Sequence, residues 1–288
     1  MLSQHFMSGL TGASQVMGRK GKINIVFEGE GARTNGDTIY LPSLPSNVEL
    51  TREQIGILRG YADHEAGHIR HTNFNSFKSF VKKWEDNPTM LQLENVLEDT
   101  RIENKVGNEY HGAKSNLRYL NESDINNDAT QEFLKVPDGS QSISENLINA
   151  LLFQHMKDTD CNGAEEVLNK FKDGDRKHLE EWSKAAVECE NTAAVNRLAE
   201  FINEQLKKDP NLEQEPEEVP SDVTEAQEGD GQEGEDDFEG EGEESGKESG
   251  EGEGEESGEG EEAGGGVGAG PIGDFKFKKR EMKEVTGD

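Results

Sequence analysis

Two histidines four residues apart, His64 and His68, with Glu65 directly after the first, are the residues of this 288-residue sequence best suited to chemistry. On an α-helix, positions i and i+4 lie one above the other, so both imidazoles can face a single metal ion. Zinc held this way lowers the pKa of a bound water to about 7, and a carboxylate beside it can take the proton. The run His64-Glu65-Ala66-Gly67-His68 therefore predicts one Zn2+ per chain, with Glu65 as the general base in hydrolysis of peptide bonds. Gly67 sits inside this helix, where glycine costs about 1 kcal/mol relative to alanine, and it permits close approach of another backbone.

A catalytic zinc keeps three protein ligands and leaves a fourth place for water. His71 is three residues beyond His68, which puts it about 10 Å along the helix axis from His64, too far for one ion. It reads as an outer, substrate-facing or surface residue. The run from Leu93 to Glu103 is a better source, because it sets several carboxylates in an otherwise apolar stretch. Glu98 is the expected third ligand, with Asp99 and Glu94 in reserve.

The elements that must position these residues carry their own signals. Thr51 with Gln54 makes a capping box for a helix reaching about Thr72, whose inner face repeats as Ile57, Tyr61, His64 and His68. Asn87-Pro88 opens a helix running to about Glu109, and Phe74, Phe77, Phe80, Val81 and Trp84 lie at helical spacing before it. A first helix is expected over residues 5–17. Ile23, Ile25 and Phe27 then alternate as in a strand, and Asn35-Gly36 turns the chain into Thr38–Leu41, a second strand stopped by Pro42. These two runs read as a hairpin. After a polar stretch, helices are expected at 143–156, 163–172, 175–189 and 193–207, the last with Val195, Leu198, Phe201, Ile202 and Leu206 on one stripe. The expected fold is α+β and mostly helical: a zincin-like domain over residues 1–210, with a small N-terminal β-hairpin or sheet and a helical subdomain from about residue 115.

Residues 211–270 hold 24 of the 61 acids and one of the 30 bases, a net charge of −23. Such a run of Glu, Gly and Ser cannot bury enough apolar surface to offset the entropy of ordering, so it is expected to be a disordered acidic linker. Residues 271–288 form a short basic and aromatic end around Phe275–Arg280. The total charge of −31 opposes a phosphate backbone, which excludes nucleic acid as a direct partner. No stretch approaches the roughly 18 to 20 apolar residues of a membrane span, and the first residues lack the layout of a signal peptide. A cytoplasmic protein is expected. Cys161 and Cys189 stand far apart without a CxxC pattern and read as free thiols. Asp138-Gly139-Ser140-Gln141-Ser142 spells DxSxS, but Pro137 breaks any strand leading into it.

The pattern Asn95-x-Leu97-Glu98-Asp99-x-Arg101-Ile102-Glu103, some thirty residues after a helical HExxH and preceded by Ile39-Tyr40-Leu41-Pro42, resembles the N-terminal part of cobaltochelatase CobT-like proteins and related phage-encoded metallopeptidases. The resemblance covers roughly residues 20–110 and the acidic segment Glu213–Glu262. It implies His64, His68 and Glu98 as ligands and Glu65 as base, and a host cytoplasm if the chain is phage-encoded. In that family an acidic segment commonly leads to a von Willebrand A domain, for which too few residues follow here.

Two functions are consistent with these residues. A zinc metallopeptidase would need an open cleft, with Thr38–Leu41 as an edge for a protein or peptide substrate. A non-proteolytic CobT-like accessory subunit of an AAA+ ATPase, in a metal-chelatase type of assembly, would have its site closed by side chains. Its acidic tail would then tether it to the ATPase or to a separate A-domain protein.

Overall fold

Side-chain caps fix the two helices on which the site stands. Thr51 accepts from the Gln54 amide while the Gln54 side chain accepts from the Thr51 amide, which starts α2 at Arg52–His71. Asn87 accepts from the Met90 amide ahead of Pro88 and starts α4, Pro88–Glu109. A computed structural model describes residues 3–19, 23–29, 31–44 and 49–230 of the protein. The acidic run beyond 230 and the basic end at 271–288 lie outside the described residues.

Among the described residues the architecture is mostly helical, with one three-stranded sheet. The remaining long helices are α1 (Ser3–Met17), α3 (Phe74–Lys83), α5 (His111–Ile125), α7 (Leu147–Asp158), α9 (Asp173–Glu188) and α10 (Thr192–Lys208). Three short ones, α6 (Asp128–Phe133), α8 (Ala164–Leu168) and α11 (Ser221–Thr224), fill the connections. Helix α5 occupies the stretch that reads as merely polar, because its buried face is sparse: Ala113, Leu117, Leu120 and Ile125 with Asn121 among them.

The sheet differs from the expected hairpin. Strands β1 (Asn24–Phe27) and β3 (Thr38–Leu41) pair in parallel, and the Asn35-Gly36 turn instead joins β3 to a two-residue strand, β2 (Arg33–Thr34). The Asn35 side chain accepts from the Asp37 and Thr38 amides, so this residue shapes the turn that the sequence marks. The ten residues between β1 and β3 leave room for the extra strand, and pairing across the turn is more local than pairing back to β1.

The apolar side chains form two clusters. One gathers α1, the sheet, α2 and α5 around Leu10, Ile39, Leu41, Ala62 and Ile69. The other gathers α7 to α10 around Phe171, Leu179, Trp182 and Leu198. Helix α4 serves both: Met90, Leu93, Val96 and Leu97 belong to the second cluster and Val106 to the first. Between them lies a layer of buried polar groups, which holds the candidate site.

Three glycines let α2 approach its neighbours, Gly56 facing the Tyr119 ring of α5 and Gly60 and Gly67 lying further along the helix. A Cβ on Gly67 would stand 3.0 Å from both Ile102 Cδ1 and Val106 Cγ2 of α4, whose methyl groups can give slightly. The close approach at Gly67 is thus to side chains, and it is Gly60 that meets a backbone. A Cβ there would lie 2.6 Å from Leu120 Cβ and 2.9 Å from the Asn116 carbonyl oxygen. Gly60→Ala should therefore destabilise by about 1–3 kcal/mol despite its gain in helix propensity, and Gly67→Ala by less. Urea unfolding of the two variants measures the order, and a more stable Gly60→Ala would contradict the α2–α5 packing.

The described residues continue past 210, into the stretch whose acidic composition suggests disorder, and several of them pack on the helices. Leu212 is buried, and Val219 and Val223 pack against the second cluster. Arg197 donates to Asp230 Oδ1 at 3.0 Å and to the Glu225 carbonyl at 2.6 Å, and Asn191 donates to Asp230 at 3.2 Å. Three apolar residues, Arg197 and the more exposed Lys177, which donates to Glu215 at 2.8 Å, thus hold a strap that average composition conceals. Truncation after Asp230 should leave the melting temperature nearly unchanged, because the residues removed are poor in apolar side chains. Truncation after Asn211 should lower it by several degrees. Equal melting temperatures for the two would show that the strap contributes nothing.

Candidate metal centre

Helix α2 presents His64 and His68 from one face, and α4 presents Asp99 opposite them. The two Nε2 atoms lie 3.2 Å apart, and Asp99 Oδ1 is 3.0 Å from His68 Nε2 and 3.5 Å from His64 Nε2. Ligand atoms 2.0–2.1 Å from a tetrahedral zinc stand roughly 3.3 Å from one another. The three residues form the one group able to hold a metal ion among the described residues.

Hydrogen bonds on the far sides of the rings assign the tautomers. His64 Nδ1–H donates to Glu103 Oε1 at 2.9 Å. On His68, Nδ1 is 3.0 Å from Thr72 Oγ1, and the single Thr72 proton goes to Glu98 Oε1 at 2.7 Å. The hydroxyl must then accept from His68 Nδ1–H. Both Nε2 lone pairs therefore point toward Asp99 Oδ1, so three acceptors converge. That arrangement is repulsive unless a cation or a proton lies among them.

The electrostatics agree. Burial works against a charged His64, but the Asp99 and Glu103 carboxylates outweigh it and push this imidazole up to about 10. A proton thus competes for the place that suits a cation. Burial likewise opposes ionised Glu103, yet its hydrogen bonds from His155 and His64 hold the carboxyl well below the usual range.

Of the carboxylates expected from the sequence, Asp99 rather than Glu98 stands beside the imidazoles. Adjacent helical residues point about 100° apart, and docking of α4 turns Asp99, Ile102 and Val106 toward α2. Glu98 faces α10 instead. It is fully buried, takes two hydrogen bonds from Arg101 at 2.7 and 2.9 Å and one from Thr192 at 3.0 Å, and supports His68 only through Thr72. Burial would raise its pKa, but Arg101 pulls it down. Glu94 lies one turn earlier, buried and without a hydrogen-bond partner, and burial beside Glu98 and Asp99 raises its carboxyl well above the ordinary value. His71 is outside the cluster; its carbonyl accepts from Arg101, and burial with Lys105 and Arg101 nearby pushes its ring down to about 3. Glu65 is fully buried next to the histidines, and its charge helps raise both His64 and Tyr61.

Glu103, Thr72, His155 and Thr192 complete the surroundings; Glu103 closes the Asn95–Glu103 pattern without a role assigned to it there, and no motif marks the other three. A faint signal exists for His155: with Gln154 it interrupts the apolar run Leu147–Met156 of α7. Neither of two surface grooves, one around Gln154 and Ser183 and one around Lys172 and Leu212, is lined by a residue of the cluster.

Fold and site together define a mostly helical protein with a two-histidine, one-aspartate cluster closed within its polar layer. Across residues 2–282 the chain matches the family described as cobalamin biosynthesis protein CobT, and it belongs to that family. No curated protein and no solved structure matches the chain.

Proposed function

We propose that this protein is a non-proteolytic CobT-type accessory subunit, that His64, His68 and Asp99 hold one divalent metal ion, and that the ion fastens the fold. The family match favours this reading over a peptidase. The observation that carries it is the convergence of three acceptor atoms at a closed point: His64 is 3% exposed, while His68 and Glu65 are 0%. A peptide substrate needs access to the metal and to the base, and these side chains are covered. Two imidazoles and a carboxylate form a borderline N/O donor set that suits zinc. Bound there, zinc would supply charge neutralisation to a layer in which Glu98 is matched by Arg101 while Asp99 and Glu103 face histidines.

The packing of a HExxH helix against a carboxylate-bearing helix is zincin-like in kind, although here the second helix offers Asp99. The acidic segment beyond Asp230 acts as a tether to a separate protein, an AAA+ ATPase or an A-domain protein. No helix among the described residues is long and apolar enough to cross a membrane.

Zinc analysis of the purified chain tests the reading. About one equivalent is expected, and its removal by a chelator should lower unfolding free energy by about 4 kcal/mol if the ion is present at a thousand times its Kd. Glu65→Gln should retain the zinc. Absence of zinc from the wild type would refute the metal assignment. Zinc-dependent cleavage of peptides that disappears in Glu65→Gln would refute the non-proteolytic role.

A further inference from the structure

Each histidine of the cluster is held from behind by a relay that ends on the second half of the chain. From His64 Nδ1 it runs to Glu103 Oε1, and from Glu103 Oε2 to His155 Nε2 of α7 at 2.8 Å, with Asn121 of α5 donating to the same oxygen at 3.1 Å. From His68 Nδ1 it runs through Thr72 Oγ1 to Glu98 Oε1, which also accepts from Thr192 Oγ1 at the start of α10. Thr192 is itself fixed, since its hydroxyl oxygen accepts from the Asn73 amide at 2.8 Å. His155 is 3% exposed and Thr192 0%, so water does not compete for these bonds.

We infer that His155 and Thr192 are positioning residues of the metal centre, through which the seating of α7 and α10 sets metal affinity. The inference rests on the metal site proposed above. Neither residue touches the ligand atoms. His155 fixes the Glu103 carboxylate, which fixes the His64 tautomer and ring plane. Thr192 fixes Glu98, which takes the Thr72 proton and so leaves that hydroxyl to accept from His68. Partners of this kind orient metal-bound histidines and raise their basicity, and their loss typically costs 10–100-fold in metal affinity. The ligands come from α2 and α4, and α7 and α10 pack against α4 in the second apolar cluster. A protein that displaced either helix would thereby weaken the metal from a distance.

Chelator competition for zinc on the full chain tests this. His155→Ala and Thr192→Val are each expected to weaken binding by about 10–100-fold. His155→Gln, which keeps a donor, and Thr192→Ser, which keeps the hydroxyl, should recover most of the loss. Phe133→Ala, a packing change on α6 that carries neither a ligand nor a member of either relay, provides the structural control: it should lower stability and leave zinc affinity unchanged. If His155→Ala does not fold, the comparison of Thr192→Val with Thr192→Ser carries the test. Wild-type zinc binding with affinities in His155→Ala and Thr192→Val equal to that of the control would overturn the inference alone. A wild type that takes up no zinc would overturn the metal site and this inference together.

Discussion

Asp99→Asn loses tight zinc binding, by more than about 100-fold, whereas Glu98→Gln stays within the 10–100-fold range of a residue that only orients a ligand. The asymmetry follows from where the two carboxylates point. Asp99 Oδ1 lies within 3.5 Å of both Nε2 atoms and is the only anionic donor of the set. An asparagine keeps the shape and removes the charge, which leaves two neutral imidazoles and an amide oxygen to compete with water for the ion. In Glu98→Gln all three donors remain, and what changes is the acceptor for the Thr72 proton. Competition with a chromogenic chelator, together with the zinc content of each purified variant, gives the ranking directly. Loss of zinc in Glu98→Gln with retention in Asp99→Asn would reassign the third ligand to Glu98.

The second large effect concerns stability. Arg101 is fully buried, bonded to both Glu98 oxygens, to the His71 carbonyl at 2.6 Å and toward Thr192. Removing one partner of a buried pair strands the other charge, which costs about 3–5 kcal/mol. Arg101→Ala should thus lower the melting temperature by roughly 10 °C in a domain of this size. The double change Glu98→Leu with Arg101→Met removes both charges and should be less destabilised than either single variant, because no unmatched ion remains. Additive losses in the double variant, measured by urea unfolding, would mean that the two side chains act independently.

Much of the frame around the site could be read from the sequence, because its signals are local. The Thr51–Gln54 box and the Asn87-Pro88 start place α2 and α4 to within a residue, and the spacing of His64 and His68 puts both rings on one face. What could not be read depends on docking. Whether Glu98 or Asp99 meets the histidines is a matter of how α4 is rotated when Ile102 and Val106 seat against Gly67. His155 lies 52 residues from Glu103 and Thr192 lies 94 from Glu98, and no periodicity links them. The parallel pairing of β1 with β3 and the strap held by Leu212 and Arg197 were hidden for the same reason, since each is settled by a few distant contacts.

Helix α4 gives side chains to both apolar clusters along one unbroken rod of 22 residues. Neither cluster can open while the other stays whole, since freeing Leu93 and Leu97 from one side unseats Val106 on the other. The two halves are therefore expected to melt as one cooperative unit, with the central α4 amides exchanging their hydrogens only through global opening; two separate calorimetric transitions would contradict this.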